Sequence, residues 1–437
     1  MMKRVNPRQL YMTQWAYEDP ACLERMRRLM RGFGLPEDRV RILDEDALAQ
    51  AIVENNWHDL DIRQGRSDFA FSGDPDVVFN SFRWMDADEM RACVERNPIL
   101  GELRGYSRGA ARALYGFPDF YHHEVRDASA KHRVNCWTLH DLHSARGCFH
   151  KCQYCRRGRM TTLMLDIEDF LTHVDRLLEQ NPWQKVTRYD VESDCLVLEP
   201  EYGMCRALVE HFAQKDDRYI ILFSKSDNVD FLLDLEHKGH TIMLWTLSTP
   251  TVSERIEVDT ATTEERLIAA RKCQEAGYTV RFKFKPIIPI ADWRAEATKM
   301  IEMLFDYVQP DNLSMEMLFF NNTAELEELF SKDLFDPDFF RLMAAHEAAT
   351  GLPDGAHVIP HDFRAMVYRH YAKEVQRVSP DARLSLCAET KAMWTEMASL
   401  LGQTAEHFVC NCSPASVPGA RGDQIYSEDG AIPLFRA

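Results

Sequence analysis

The chain lacks the features that mark secreted, membrane-spanning, fibrous or disordered proteins. Its 437 residues hold no low-complexity tract and no fixed-period repeat. The opening Met-Met-Lys-Arg-Val-Asn-Pro has no apolar run of the kind a secretion signal requires. The longest apolar stretches, such as 242–247, fall far short of the ~20 residues a membrane helix needs. Positive charge is in deficit: 52 Lys and Arg stand against 69 Asp and Glu, a net charge of −17. That argues against holding nucleic acid by bulk electrostatics, because neutralisation of phosphates by Lys and Arg carries most of such affinity. A disulfide framework is not expected, since twelve cysteines without a secretion signal point to a reducing cytoplasm.

What is present is concentrated in one loop, Cys148-Phe-His-Lys-Cys152-Gln-Tyr-Cys155. This spacing brings three thiolates onto one small surface and leaves a fourth position unfilled. Iron–sulfur clusters are usually held by four cysteines, so three with no local fourth suggest a [4Fe–4S] cubane with one open iron. Zinc is the alternative, with His140, His143 and His150 close by, but paired CxxC or Cys₂His₂ spacing is not met. Arg146, Lys151, Arg156, Arg157 and Arg159 surround the loop. They read either as compensation for an anionic cluster and a docking face for an acidic electron donor, or as a local nucleic-acid patch.

Length predicts one large catalytic domain with flanking pieces. Residues 1–130 read as an α-rich N-terminal region with helices at 22–33, 46–55 and 86–96. Residues 131–321 alternate strands and helices, the pattern of a parallel sheet with crossover helices. Strands are expected at 134–139, 185–191, 219–223, 241–247, 278–288 and 313–319. Helices are expected at 167–180, 229–238, 262–276 and 293–307, the third opened by the capping pattern Thr262-Thr263-Glu264-Glu265. Six such units make the fold class α/β, a partial (β/α)₆ barrel, whose chemistry belongs at the C-terminal strand ends. Residues 322–437 read as a helical extension (324–330, 338–350, 363–376, 390–401) ending in a tail with Cys410-Asn411-Cys412.

The cysteine spacing, with Tyr154 before the third cysteine, resembles the radical S-adenosylmethionine (SAM) superfamily. Within it, residues 131–320 resemble the spore photoproduct lyase family. The supporting segments are 147–155, 186–194, 223–228 and the run Glu264-Glu265-Arg266-Leu267 … Ala276-Gly277-Tyr278, followed by Lys285-Pro286-Ile287. The resemblance implies that Cys148, Cys152 and Cys155 hold a [4Fe–4S] cluster whose open iron binds SAM. One electron then cleaves SAM to a 5′-deoxyadenosyl radical, which abstracts hydrogen from an organic substrate. The resemblance further places Tyr154, Glu192, Ser193, Asp194, Lys225 and Ser248 around SAM, with Lys225 on its carboxylate. In the lyases a cysteine precedes the Ser-Asp pair and donates hydrogen to the product radical. Here Val191-Glu192-Ser193-Asp194-Cys195 puts the cysteine after the pair. Either Cys195 acts from a shifted position or the lyase reaction is not this protein's. Tyr154, Tyr189 and Tyr278 can relay or quench a radical. Cys387, Cys410 and Cys412 can ligate an auxiliary cluster or zinc, or supply a thiyl hydrogen donor. The implied partners are a small-molecule, nucleoside or nucleic-acid-lesion substrate and a flavodoxin- or ferredoxin-type donor, with no membrane. The alternatives are a true DNA pyrimidine-lesion lyase and a metal-stabilised binding module without enzymatic activity.

Overall fold

The computed structural model describes residues 2–55, 57, 74–102, 105–123, 135–136, 139–155, 160–318, 323–351 and 357–421. Arg156, Arg157 and Arg159, and half of the strand expected at 134–139, lie outside them.

Two sheets organise the chain. The smaller is built from β1 (Leu10–Thr13), β2 (Val40–Leu43) and β3 (Asp76–Asn80) of the N-terminal region. The larger begins with β4 (Asp119–His123) and β5 (Leu139–His143). Next come β6 (Ala145–Arg146), β7 (Lys151–Cys152) and β8 (Met160–Met164), which flank or cross the cysteine loop. β9 (Val186–Tyr189), β10 (Tyr219–Ser224) and β11 (Thr241–Leu247) return to the larger sheet, followed by the short β12 (Glu257–Val258). β13 (Thr279–Ile287), β14 (Leu313–Met317) and β15 (Leu384–Leu386) complete it.

The larger sheet runs β15-β14-β13-β11-β10-β9-β5-β4, parallel throughout except for β4 against β5. Its central strands are buried on both faces, all seven residues of β11 included, as a parallel sheet covered by helices requires. The six expected strands are present as β5, β9, β10, β11, β13 and β14 in the expected order. The first lies at Leu139–His143, shifted toward the cysteine loop from the expected 134–139. The helices expected at 167–180 and 293–307 form at Ile167–Gln180 and Trp293–Tyr307. Thr262 and Glu265 make the reciprocal capping pair that opens the helix Thr263–Glu275.

The helix expected at 229–238 does not form; the segment has only a 3₁₀ turn at Asp230–Leu232. The carbonyl of Leu232 is taken by the Tyr278 hydroxyl at 2.7 Å, and His237 stacks on the Tyr278 ring at 3.8 Å. These contacts compete with a continuous helical ladder.

The N-terminal region carries its expected helices, at Pro20–Phe33, Glu45–Glu54 and Ala87–Arg96. To these the structure adds the parallel order β2-β1-β3-β8, with β6 antiparallel at the edge. Beyond residue 322 the four expected helices appear at Thr323–Leu329, Phe339–Thr350, His361–Val378 and Lys391–Leu401. β15 from this stretch adds a seventh parallel strand beside β14.

The two faces of β13 show where the barrel's inside lies. Phe284 packs toward Tyr371 of the outer helix His361–Val378. Arg281, Lys283 and Lys285 alternate onto the opposite face, the lumen. The final stretch of described chain crosses beneath it. Pro414 O accepts from the backbone N–H groups of Lys185 and Val186 at 2.8 and 2.9 Å. Arg281 donates to the carbonyls of Asn411 and Ser416, each at 2.8 Å. The tail thus closes the floor of the lumen, at the end opposite the cysteine loop.

Candidate active site

The cysteine loop is gripped on three sides. It leaves β6 and re-enters the smaller sheet at β8, while β7 within it pairs antiparallel with β12, Cys152 opposite Glu257. Gly147 begins the loop at φ +102°, where a Cβ would sit 2.1 Å from Met160 O, so only glycine fits. Gly147 N–H donates to Glu192 O at 3.2 Å and Gln153 N–H to Ile256 O at 3.0 Å. The Phe149 ring is buried against Phe33.

Cys152 is buried; Cys148 and Cys155 are half-buried. Burial pushes the Cys148 thiol well up, aided by the Asp194 charge, and the Cys152 thiol up to about 12, aided by Glu257. Such thiols stay protonated until a positive centre replaces the proton, which is what an iron–sulfur cluster does. The His150 N–H already points at the Cys148 sulfur at 3.4 Å. Three soft donors on one rigid loop fit a cluster. Among the described residues no three His, Cys, Asp or Glu side chains converge on a position for a single metal ion.

Strand ends supply the surroundings. Asp194, after β9, accepts from Ser224 Oγ at 2.9 and 3.0 Å and from Lys225 N–H at 2.7 Å. His150 Nε2 lies 3.1 Å away. Asp194 is therefore a buried tie between two strand ends and the cysteine loop. Burial would raise its pKa, but His150 and the donors outweigh burial and hold it below the usual range. Glu192 pairs with Arg146 at 3.2 Å.

Lys225, after β10, reaches Thr246 Oγ1 at 2.5 Å and Glu257 Oε1 at 2.8 Å. Glu257, fully buried, also pairs with the fully buried Arg266 at 2.7 Å and accepts from the Tyr154 hydroxyl. Despite burial, the two cations hold its carboxyl down to about 2. The structure thus brings Tyr154 and Lys225 together on one carboxylate, beside Cys152. At the end of β11, Ser248 Oγ and its neighbour Thr249 Oγ1 are buried with no hydrogen-bond partner. Buried hydroxyls are normally satisfied, so this pair suits a ligand's polar groups.

The other expected residues have partners of their own. Tyr189 is buried with its hydroxyl on Ser144 at 2.7 Å. Cys195 donates to Phe223 O at 3.4 Å and its carbonyl accepts from the Cys205 thiol. Tyr278 supports the 3₁₀ turn described above. Cys387 and Cys412 meet in the lumen, each 3.5 Å from Lys283 Nζ, and Arg188 lies 3.6 Å from the Cys412 sulfur. The neighbouring Cys410 thiol and the two cations hold the Cys412 thiol well below its ordinary range against burial, while Cys410 is pushed up. Sequence reasoning missed Glu257, Arg266, Lys283 and Arg188. Arg266 stood in a quoted run, but nothing in the sequence showed that it turns inward.

The spore photoproduct lyase family model matches residues 139–333, the stretch that carries the cysteine loop and the six barrel strands. Over this stretch the chain is similar to the spore photoproduct lyases. The Bacillus subtilis (strain 168) lyase is 26% identical over 185 residues, 40% of this chain and 53% of that protein. The lyase of Geobacillus sp. (strain Y412MC61) is 24% identical over 241 residues, 52% of this chain and 67% of that protein. This chain thus spans about half the length of the Bacillus relative. A solved spore photoproduct lyase complexed with dinucleoside spore photoproduct superposes with TM-score 0.60 at 15% identity, covering 88% of this chain and 99% of that one. A mutant lyase with bound AdoMet and dinucleoside spore photoproduct gives 0.59 at 15% identity, with the same coverage. The lyase fold therefore extends well beyond the stretch of sequence similarity, through both flanking regions.

Proposed function

We propose that this chain is a radical SAM enzyme acting on an organic substrate held in the barrel lumen. The observation that carries the reading is the three-cysteine loop clamped over the C-terminal strand ends, with Lys225 and the unpartnered Ser248 and Thr249 hydroxyls beside it. The relative solved with bound AdoMet supports it. A [4Fe–4S] cluster with SAM bound there would supply radical chemistry, its electron coming from a flavodoxin- or ferredoxin-type donor.

The chain's own residues do the rest. Cys148, Cys152 and Cys155 hold the cluster. Lys225 takes the SAM carboxylate, exchanging part of its contact with Glu257 for the ligand, a role suited to a compact ammonium. Ser248 and Thr249 offer hydroxyls to polar groups of the same ligand. Glu192 and Ser193 would offer oxygens to its amino group, and Asp194 fixes the strand ends around it. Tyr154 holds Glu257 in place. Tyr189 and Cys195 position β9 and β10 through Ser144 and Phe223. We divide the chain at about 130 and 321, with the flanking regions closing the barrel's side and floor. Among the described residues no helix is long and apolar enough to cross a membrane.

The substrate class is a nucleoside-containing molecule. The lumen is lined by the charged Arg188, Asp141, Lys283 and Glu316, and the solved relatives carry a dinucleoside lesion. The test is anaerobic reconstitution with iron and sulfide counting, then incubation with SAM and dithionite, with and without dinucleoside spore photoproduct. About four irons per chain and accumulating 5′-deoxyadenosine are expected. Zinc without iron, and no deoxyadenosine, overturn the reading.

A further inference from the structure

The Cys410-Asn411-Cys412 pair is not used by the chemistry above, yet the fold carries it into the barrel. The tail crosses beneath β9, β13 and β14, anchored by Pro414 O on Lys185 and Val186 and by the Arg281 guanidinium on Asn411 and Ser416. Asn411 adds bonds of its own, from its N–H to Ser314 Oγ and from its amide to Phe282 O. With Asn411 held from both sides, the flanking Cys410 and Cys412 are fixed in place, Cys412 with its sulfur on the lumen side chains Lys283 and Arg188. Both are almost wholly buried. Cys412 is met by Lys283 Nζ at 3.5 Å and Arg188 Nη1 at 3.6 Å, an arrangement that favours negative charge on that sulfur.

The pair also lies close under the proposed SAM lysine. Lys283 of β13 stands in register with Thr246 of β11, so the two side chains share the lumen face. Thr246 Oγ1 in turn takes Lys225 Nζ at 2.5 Å. Two contacts, Lys225–Thr246 and Lys283–Cys412, set on neighbouring strand positions, therefore lie between the mouth of the barrel and the Cys412 sulfur.

We propose that Cys410 and Cys412 form a dithiol that supplies hydrogen to carbon radicals generated in the lumen, a role that rests on the radical SAM reading. In the step, the Cys410 S–H bond breaks homolytically and its hydrogen atom forms a C–H bond with the carbon radical. The electron left on sulfur is shared with the Cys412 thiolate as a three-electron S–S bond. Lys283 and Arg188 face the resulting anion. One electron from a low-potential donor and one proton restore the thiol–thiolate pair. The step is downhill because an S–H bond is weaker than the aliphatic C–H bond formed.

The test follows hydrogen from solvent. Reconstituted full-length protein in D₂O, where thiols exchange to S–D, is given SAM and dithionite without added substrate. The deuterated fraction of the 5′-deoxyadenosine is read by mass spectrometry. Being a ratio, it reports the hydrogen source independently of how much deoxyadenosine each protein makes. The wild type is expected to give mostly monodeuterated product, and Cys410→Ala/Cys412→Ala at least a fivefold lower labelled fraction. Cys273→Ala, a buried cysteine on an outer helix, is expected to keep the wild-type label. Should the double variant not fold, Cys410→Ala alone reads the same ratio. Deoxyadenosine that carries no label in the wild type, or equal label in the variants, overturns the dithiol while the radical reading stands. No deoxyadenosine from any protein overturns the radical reading, and the dithiol with it.

Discussion

Replacing Arg266 with Met tests the buried network at the centre of the site. Arg266 is fully buried and makes four bonds: Nη2 to Glu257 at 2.7 Å and to Thr260 Oγ1 at 2.6 Å, Nε to Ala261 O at 2.8 Å, and Nη1 to Thr246 O at 3.0 Å. Removing one member of a buried ion pair costs about 3–5 kcal/mol, because the other charge stays buried. Glu257 keeps Lys225 and the Tyr154 hydroxyl, which places the expected loss toward the lower end, about 3 kcal/mol. Equilibrium urea unfolding followed by tryptophan fluorescence reads it directly. The same change has a functional arm. With Arg266 gone, Lys225 is the remaining cation on Glu257 and is held there more tightly, so it is less available to a SAM carboxylate. The KM for SAM is expected to rise about tenfold, equivalent to ~1.4 kcal/mol of binding, with a smaller change in kcat. A stability loss under about 1 kcal/mol would refute the network as a buried anchor. An unchanged KM alongside full destabilisation would show that Glu257 does not compete with ligand for Lys225.

Three further outcomes are expected. Gly147→Ala, which forces a Cβ within 2.1 Å of Met160 O, should reduce reconstituted iron to well under half of the wild-type content, as counted by colorimetric assay. Lys225→Met should raise the KM for SAM by at least tenfold while the cluster's iron content stays at the wild-type level; unchanged SAM affinity would remove Lys225 from the ligand. Asp166 is buried with Oδ2 unpartnered, and burial raises its carboxyl to about 7 against an ordinary 3.8. A raised carboxyl contributes stability that is present below pH 3.8 and lost as pH climbs through 7. Asp166→Asn should therefore be more stable than wild type at pH 8, by roughly 4 kcal/mol at most, with the gain shrinking toward pH 4 in paired urea titrations.

What the sequence disclosed depended on how local each signal was. Cys148, Cys152 and Cys155 were legible because ligands on one loop must be spaced along one short stretch of chain. The barrel was legible because β11 is a continuous buried apolar run and because helices such as Ile167–Gln180, Thr263–Glu275 and Trp293–Tyr307 alternate with the strands. The first strand was expected at 134–139 because the sequence just before Leu139 is rich in apolar residues, while His140, Asp141 and His143 disguise the strand at Leu139–His143. That Asp141 is tolerable in a strand only because Arg188, one strand away, pairs with it, a partnership no local window contains. β15 is three residues long and invisible to any periodicity. Glu257 and Arg266 were missed for the same reason as Asp141: each reads as a solvated charge until the fold places it opposite the other, both fully buried. The tail shows the limit most clearly. Its two cysteines were conspicuous from spacing alone, but their place in the lumen depends on Arg281, some 130 residues earlier, reaching the carbonyl of the asparagine between them. Chemistry carried by neighbours in sequence could be read from the sequence; chemistry assembled by the return of the chain had to wait for the structure.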